Sequence, residues 1–258
     1  AVNLERLRWA SGDRSDRRVE VNIPGFTARL IDGGETLWQS RTVVGEPEET
    51  RTPEFADTMT YLVVNPTWHI PDSIATRVYL PKLQGDPDVL SRNGMSLFTR
   101  SGVEINPRLV DFSQYSAASF PFRIKQNPSA ANALGRIKFM FPNRYAIYLH
   151  DTPARELFDR DARAFSNGCV RLEEPIELAN VLLNDQTADP EKAVSDWLQA
   201  GDEKYITLEN PVPVFIDYRT VFLDADGKAA FRADIYGRDA ALYERLKVLG
   251  AGTEQLRG

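Results

Sequence analysis

Cysteine and histidine are scarce in this sequence, which contains one cysteine and two histidines among 258 residues. A single cysteine excludes an internal disulfide, and so few soft ligands argue against a zinc site of histidine and cysteine. Residue usage therefore predicts neither a metal nor a cofactor. The one thiol must be either a small buried hydrophobic side chain or a reactive group, and its sequence neighbours bear on that choice.

A basic excess and long apolar runs are also missing. The formal net charge is −6, so the composition predicts no nucleic-acid partner. No run approaches the roughly eighteen apolar residues that a membrane-spanning helix needs, so no transmembrane segment is predicted. Residues 1–20 are rich in charge and lack the apolar core of a signal peptide. The chain is thus either cytosolic, or a mature or truncated piece of an exported protein.

The sequence does contain a β-rich pattern that is interrupted once. Residues 19–30 alternate between apolar and polar side chains, as the residues of half-buried strands do. Residues 71–130 are rich in Pro, Gly, Asn and Ser and have weak periodicity, which is typical of a functional lid or inserted subdomain. A surface excursion without function is the alternative. Strands are predicted again at 137–141 and 145–149, and the second would deliver His150 at its end.

The cysteine stands in a segment that suits nucleophilic catalysis. Its surroundings read Ser166-Asn167-Gly168-Cys169-Val170-Arg171, and His150 lies nineteen residues earlier. An imidazole can take the proton of a thiol, and Gly168 lets a carbonyl approach backbone N–H groups that would hold an oxyanion. Arg171 suits a carboxylate, and a helix predicted to begin near Pro175 would favour the thiolate through its dipole. Because the histidine comes first, a papain-type protease is disfavoured.

Two segments resemble the catalytic signature of the L,D-transpeptidases, the YkuD-type domain. They are Tyr148-Leu149-His150-Asp151-Thr152-Pro153 and Arg163-Ala164-Phe165-Ser166-Asn167-Gly168-Cys169-Val170-Arg171. The stretches at 66–71, 120–123 and 134–139 are similar to the same family. With a long insert at about 77–118, the chain most resembles the lid-bearing, YcbB-like branch of Gram-negative bacteria.

The resemblance implies a mainly β fold, sandwich- or barrel-like, with peripheral helices and an inserted α/β lid subdomain at about 77–118. Residues 1–18 would be an N-terminal helical remnant, and residues 19–258 the L,D-transpeptidase catalytic domain. A periplasmic location in the cell envelope is implied, as a mature or truncated catalytic fragment with a role in cell-wall biogenesis and cell shape. Peptidoglycan stem peptides are the expected partners, with wall-linked lipoprotein as a further candidate. β-Lactams of the carbapenem class are the expected inhibitors.

The reaction that the resemblance implies is cross-linking of peptidoglycan. Cys169 would attack the carbonyl that joins diaminopimelate to D-Ala in a donor tetrapeptide stem, releasing D-Ala and forming a thioester. An amine of a second stem would resolve the thioester into a 3→3 cross-link. His150 would be the general base, oriented by a backbone carbonyl, because the side chain of Asp151 points to the opposite face of the strand. The N–H groups of Gly168 and Cys169 would form the oxyanion hole.

The remaining residues of the signature are expected to contact substrate. Arg171 would bind a substrate carboxylate or brace the loop through an ion pair. Tyr148 and Phe165 would line the cleft or belong to the core, and Ser166 is grouped with them. Many family members have a histidine where Asn167 stands. Asn167 would either offer its amide to substrate or shape the turn.

Two other functions stay open at this point. A related cysteine carboxypeptidase or amidase would use the same site and water to cut diaminopimelate bonds or to detach wall-bound lipoprotein. A non-catalytic peptidoglycan-binding module would keep the fold but have a thiol of ordinary reactivity. A product assay with an amine acceptor separates the first from a transpeptidase, and formation of an acyl-enzyme argues against the second.

Overall fold

The computed structural model describes residues 2–9, 14–223 and 227–248. Its strands are β1 (Arg18–Asn22), β2 (Thr27–Asp32), β3 (Glu35–Gly45), β4 (Phe55–Val64), β5 (Trp68–His69), β6 (Met95–Thr99), β7 (Glu104–Ile105), β8 (Phe122–Gln126), β9 (Ile137–Met140), β10 (Leu149–His150), β11 (Ala164–Ser166), β12 (Val170–Leu172), β13 (Lys204–Asp217), β14 (Val221–Leu223) and β15 (Ala229–Phe231). Its α-helices are α1 (Val2–Trp9), α2 (Asp72–Ile74), α3 (Leu80–Gly85), α4 (Val89–Arg92), α5 (Pro175–Leu183), α6 (Pro190–Ala200) and α7 (Arg238–Val248).

Strand β3 closes the main sheet into a barrel-like ring. The order in the sheet is β11-β3-β12-β10-β9-β4-β13-β1-β2, and β2 pairs again with β3. Thr36 near the start of β3 pairs with Ile31 of β2, whereas Val43 near its end pairs with Arg171 of β12. One long strand therefore serves both edges of the sheet, which removes them as open edges. The predicted mainly β, barrel-like fold with peripheral helices is confirmed.

The ring encloses a core of buried aliphatic and aromatic side chains. Phe139 of β9 and Leu149 of β10 are paired across the strands, and both are fully buried. Their neighbours along the strands, Lys138 and His150, point to the opposite face, because successive side chains of a strand alternate in direction. The candidate site stands on that second face.

Two helices cover the core, and the first of them starts where the sequence predicts. Helix α5 begins at Pro175, whose missing N–H costs nothing in a first turn, and it buries Leu178. Helix α6 follows Asp189, whose side chain accepts a hydrogen bond from the Lys192 amide at 2.9 Å. Since β12 and α5 directly follow Cys169 in the chain, the packing of α5 helps to fix the segment that carries the thiol.

Residues 68–134, called the insert below, contain a second hydrophobic cluster between β4 and β9. Its own small sheet has the order β5-β8-β6-β7. The buried members of the cluster are Trp68, Ile70, Ala75, Leu80, Leu83, Leu90, Met95, Leu97, Phe112, Phe120, Phe122, Ile124 and Leu134. The predicted lid at 77–118 lies inside this region. The cluster also contains residues that precede position 77 and residues that follow position 118. The boundaries of the lid stay a prediction.

Helix α1 is joined to the C-terminal part of the chain. Nδ2 of Asn3 donates to Oγ1 of Thr220 at 2.7 Å, and the Arg6 guanidinium pairs with Asp239 in the first turn of α7. Arg6 also donates to the Tyr218 carbonyl at 3.3 Å. These contacts hold the N-terminal helix against the segment that follows β13, and the predicted boundary at residue 18 stays a prediction.

Across the described ranges, none of the helices is both long and apolar enough to cross a membrane. The same ranges contain no group of three or more His, Cys, Asp and Glu side chains placed to hold a metal ion.

Candidate active site

The strands next to the thiol and the imidazole are neighbours in the main sheet. Strand β10 pairs in parallel with β12, with His150 opposite Arg171, and the Val170 amide donates to the Tyr148 carbonyl at 3.2 Å. Paired residues, and residues two apart on one strand, point to the same face of a sheet. His150 and Arg171 therefore share a face with Tyr148 and Cys169.

A backbone carbonyl orients the His150 ring. Nδ1 of His150 lies 2.5 Å from the carbonyl oxygen of Asp151. A proton on Nδ1 can donate to that oxygen, so we assign the tautomer that leaves Nε2 unprotonated. The geometry matches the expectation of a carbonyl, rather than a carboxylate, as the partner of the histidine.

The Asp151 carboxylate faces the other way and holds the preceding turn. Its Oδ2 accepts from the Arg136 amide at 2.8 Å, and a guanidinium nitrogen of Arg155 lies 3.6 Å from Oδ1. Burial raises the pKa of this carboxyl, although its hydrogen bonds act against the rise. Gly135 makes room for it, since a Cβ at Gly135, where φ is +62°, would lie 2.3 Å from Cγ of Asp151. Asp151 therefore acts on His150 through its main chain.

His150 is a neutral base at neutral pH. Its side chain is buried, and burial lowers the pKa of His150 to about 3. The cations of Arg171 and Lys138 act in the same direction, while hydrogen bonds to the carbonyls of Asp151 and Leu134 oppose it. A neutral imidazole is the form that can accept a proton from a thiol.

The Cys169 thiol lies against a main-chain carbonyl. Its Sγ donates to the Ala146 carbonyl at a sulfur–oxygen distance of 3.8 Å. Ala146 has a φ of 54°, which is uncommon for a residue with a side chain, and Asn143 Oδ1 pins this turn by accepting two amide hydrogen bonds. Within the described ranges, no hydrogen bond joins Sγ to His150. The thiol proton must therefore turn from the carbonyl to reach the base.

The ionisation of Cys169 is a balance between burial and its neighbours. Burial raises the pKa of the Cys169 thiol, whereas the amide and hydroxyl of Tyr148 and the cations of Lys138 and Arg171 favour the thiolate. The pKa stays raised overall, so the resting pair is a thiol and a neutral imidazole. A general base must then remove the proton as the sulfur attacks.

Hydroxyls from the connection between β3 and β4 hold the loop before Cys169. Oγ1 of Thr50 donates to the Ser166 carbonyl, and Oγ1 of Thr52 donates to the Gly168 carbonyl, both at 2.8 Å. Gly168 has a φ of +112°, and a Cβ there would lie 3.2 Å from Cδ1 of Ile147. Both the backbone conformation and the close contact favour glycine at this position. The thiol is thus presented by a tightly braced loop.

Two predicted roles differ from the geometry of this loop. The Gly168 amide donates to Oγ of Ser166 at 3.1 Å, so it is not directed into the cleft as an oxyanion donor. Ser166 is buried and donates to the Cys169 carbonyl at 2.5 Å, so it braces the loop and does not face substrate. The physical reason is the same for both, because the serine hydroxyl bonds back to its own turn. The Cys169 amide donates to no other described residue, so it is free to donate to a ligand.

Two cations flank His150 on the same face. Lys138 of β9 and Arg171 of β12 each stand opposite His150 in the strand register. Neither has a carboxylate oxygen within 4.0 Å among the described residues, and Nε of Arg171 is buried without a hydrogen-bond partner. Nζ of Lys138 lies 4.0 Å from the centroid of the Tyr148 ring. The structural ion pair considered for Arg171 is therefore not present in the described part of the chain.

Tyr148 joins the barrel to the insert. Its ring packs against the insert cluster, and the ring centroids of Tyr148 and His150 are 5.5 Å apart. Burial raises the pKa of Tyr148 well above its usual value, and the cluster against which its ring packs includes Trp68 of the insert. A neutral phenol can therefore contribute to the environment of the sulfur.

The insert also reaches the residue two places before Cys169. Arg77, in the π-helical turn Ala75–Tyr79, donates to Oδ1 of Asn167 and pairs with Glu49 at 2.6 Å. Such turns are frequent at functional sites. The side-chain oxygen of Asn167 is therefore already bound by Arg77 in this conformation. Phe165 is 44% exposed, so it is not a core residue and is free to line the cleft.

A comparison with known proteins assigns the family. The sequence model of YkuD, the L,D-transpeptidase catalytic domain, matches residues 16–214. This chain belongs to that family. A Haemophilus influenzae protein, provisionally named an L,D-transpeptidase, is 33% identical over 239 residues, which are 93% of this chain and 47% of that protein. The chain therefore spans about half the length of the curated relative it matches.

Solved L,D-transpeptidase structures show a more distant likeness. An L,D-transpeptidase from Mycobacterium smegmatis is 12% identical with a TM-score of 0.35, covering 79% of this chain and 59% of that chain. The catalytic domain of the Enterococcus faecium enzyme acylated by ertapenem is 11% identical with a TM-score of 0.31, covering 80% and 100%. Likeness of this size adds nothing to the family assignment, and the lid-bearing branch stays a prediction.

Three residues around the site of this L,D-transpeptidase domain lie outside the two segments that carry the catalytic signature, although two of them fall in the stretches at 66–71 and 134–139 that resemble the family. They are Lys138, Trp68 and Arg77. Lys138 is an ordinary polar position of an alternating strand, and only the pairing of β9 with β10 reveals it beside His150. The two insert residues contact the site through tertiary packing, which no local sequence pattern announces.

Proposed function

We propose that Cys169 is acylated by a donor tetrapeptide stem and that the acyl group is transferred to an amine of a second stem, forming 3→3 cross-links in peptidoglycan. The observation that carries the proposal is a neutral imidazole, oriented through Nδ1 by the Asp151 carbonyl, on the same sheet face as the thiol. Family membership supplies the class of substrate. The braced loop agrees with a site built for an anionic acyl donor, and so does Nε of Arg171, which is buried and has no hydrogen-bond partner among the described residues.

In the acylation step, the Cys169 thiol passes its proton to Nε2 of His150 while the sulfur bonds to the carbonyl carbon of the diaminopimelate–D-Ala bond. The Cys169 amide stabilises the resulting oxyanion, and Arg171 binds a carboxylate of the donor. When the tetrahedral intermediate collapses, the C–N bond breaks and the imidazolium gives its proton to the departing D-Ala amine. A thioester remains on the enzyme.

In the transfer step, the acceptor amine attacks the thioester and loses a proton to His150. The sulfur leaves and regains a proton from the imidazolium, which restores the resting pair of thiol and neutral imidazole. If water attacks instead, the product is a shortened stem, which is the carboxypeptidase outcome. Arg77 of the insert contacts Asn167, and Tyr148 packs against the insert cluster, so the exclusion of water there would favour the amine.

The proposal includes a location and an inhibitor class. The substrate is part of the cell wall, so the domain would work in the periplasm. A carbapenem offers the same thiol a strained lactam carbonyl, and ring opening leaves the drug attached as an acyl group. Wall-linked lipoprotein is an alternative acceptor that the same acyl-enzyme would serve.

The proposal is tested by incubating the purified chain with a disaccharide-tetrapeptide donor and analysing the products by mass spectrometry. We expect release of D-Ala together with a dimer that lacks one D-Ala, and no reaction with Cys169→Ala. Tripeptide without dimer would identify a carboxypeptidase. Donor that stays intact while binding to the chain would identify the non-catalytic module.

A further inference from the structure

Two positive charges stand on either side of His150, and neither forms an ion pair with a carboxylate of the described residues. The register places Lys138, His150 and Arg171 in one row across β9, β10 and β12. Neighbouring strands are about 4.8 Å apart, so the two cations start from backbone positions roughly 10 Å apart with the base between them. This row is a fixed property of the sheet and does not depend on a mobile loop.

The surroundings of the two cations offer little compensation. Lys138 contacts the face of the Tyr148 ring, and Nε of Arg171 is buried and unpartnered. Among the described residues, the acidic groups that act on them are the Cys169 thiol on both, Glu203 on Lys138 and Glu156 on Arg171, and neither carboxylate comes within 4.0 Å. Burial lowers the pKa of each cation, because a buried positive charge loses the hydration that stabilises it in water.

We propose that Lys138 and Arg171 form a two-cation site for an acyl donor with two carboxylates, one on each side of the carbonyl that Cys169 attacks. The inference rests on the proposed function and deepens it. A stem that ends in diaminopimelate–D-Ala has such a pair, since one carboxylate is on the leaving D-Ala and another is on the free end of the diaminopimelate side chain. Lys138 is then a specificity-determining residue, because a donor that lacks its carboxylate leaves the buried cation unbalanced.

The test measures kcat/KM of D-Ala release for three synthetic donor stems. One has both carboxylates free, one is amidated at the C-terminal D-Ala, and one is amidated on the diaminopimelate side chain. We expect each amidation to lower kcat/KM of the wild type by about tenfold or more, the size of a lost hydrogen-bonded charge contact. Lys138→Gln should become insensitive to one amidation, and Arg171→Gln to the other.

Matched variants separate this role from general damage. Lys138→Arg keeps the cation and should keep the discrimination to within a few-fold. Lys204→Gln removes another lysine that lies over an aromatic ring, 4.6 Å from the centroid of Trp197, and should leave all three rates unchanged. Thermal unfolding of every variant shows whether its fold is intact.

Several outcomes would overturn the inference. Equal rates of the wild type with free and amidated donors would do so while leaving the proposed function intact. Lys138→Gln that slows all donors equally, and slows carbapenem acylation by the same factor, would make Lys138 a stabiliser of the thiolate without a role in specificity. If Lys138→Gln and Arg171→Gln both lose sensitivity to the same amidation, the two cations bind one carboxylate of the donor and not two. No turnover of any donor by the wild type would instead reject the proposed function.

Discussion

The barrel and the insert contribute to the active site in different ways. Lys138, His150 and Arg171 are placed by strand register. Phe139 and Leu149, which are next to Lys138 and His150 in the chain, are fully buried in the core. The insert packs against Tyr148 and sends one side chain to Asn167, that of Arg77, which is 40% exposed. Strand register fixes positions closely, whereas exposed contacts are readily exchanged for water. We therefore expect the chemistry to depend on the barrel and the insert to affect substrate access and fit.

The base of the insert is nevertheless firmly attached. Asn65, at the end of β4, has a φ of 48°, and its amide donates to the Arg136 carbonyl at 2.8 Å. Its side chain accepts from Nε of Arg136 at 2.9 Å and donates to the Trp197 carbonyl at 2.8 Å. The chain thus enters and leaves the insert at one pinned point. Variation in the insert is expected at its far contacts with the site and not at this base.

The largest expected effect is the loss of acylation rate when His150, which the barrel supplies, is replaced. His150→Gln keeps a donor for the Asp151 carbonyl but removes the base, so the rate of acylation should fall by about 10²–10⁴-fold. Stopped-flow or quenched mass spectrometry with ertapenem measures this rate. A change of less than about tenfold would show that another group, or the solvent, takes the thiol proton.

A dependence of stability on pH is the second expected effect of the barrel. The pKa of His150 is lowered to about 3, whereas the unfolded chain binds that proton near pH 6.5. The unfolded state therefore binds more protons between these values, and the free energy of unfolding falls as the pH drops from about 6.5 to about 3, by up to about 1.4 kcal/mol per pH unit.

Chemical denaturation of the wild type and His150→Gln at several pH values measures that dependence. The carboxylates titrate in both proteins, so their contribution cancels in the difference. The wild type should lose stability relative to the variant throughout the window. Parallel curves would show that His150 titrates normally in the folded protein.

A smaller loss is expected where the barrel supports the carbonyl that orients His150. Gly135→Ala places a Cβ against the Asp151 side chain and keeps a left-handed backbone, so the domain should lose about 1–3 kcal/mol of stability. The acylation rate should fall as well, because the residue that orients the base is displaced. Gly85→Ala is the matched control, since a Cβ there meets nothing within 4 Å. Equal stability and equal acylation rates of the two variants would show that Gly135 does not support the orientation of His150.

The smallest effect is expected in the insert. Arg77→Ala removes the contacts with Asn167 and Glu49, so KM for a stem donor should rise a few-fold while acylation by a small carbapenem stays unchanged. Arg92→Ala breaks an exposed ion pair with Asp86 elsewhere in the insert and serves as the control. A slower carbapenem acylation of Arg77→Ala would show that the insert also affects the chemistry at Cys169.

Much of the scaffold could be predicted from the sequence because its signals are local. The starts of α5 and α6 follow from Pro175 and from the capping side chain of Asp189. The closed ring has no such signal, since β3 pairs with β2 along one half and with β12 along the other. Nonlocal pairing of this kind decides which side chains meet.

The segment before His150 shows why part of the site could not be predicted. The sequence predicts a strand at 145–149, but only Leu149–His150 forms a regular strand. Asn143 bonds the turn that precedes it, and Ala146 takes a left-handed conformation that aims its carbonyl at Cys169. The pairing of thiol and imidazole could be predicted from their residue types and the family signature, whereas the resting partner of the thiol depends on this turn.

The most direct test of the central claim is intact-protein mass spectrometry of the chain after mixing with ertapenem. We expect a mass increase of one drug molecule, absent in Cys169→Ala and slowed in His150→Gln. An unmodified chain whose Cys169 is still labelled by a generic thiol reagent would contradict it, because the sulfur would then be accessible but not activated.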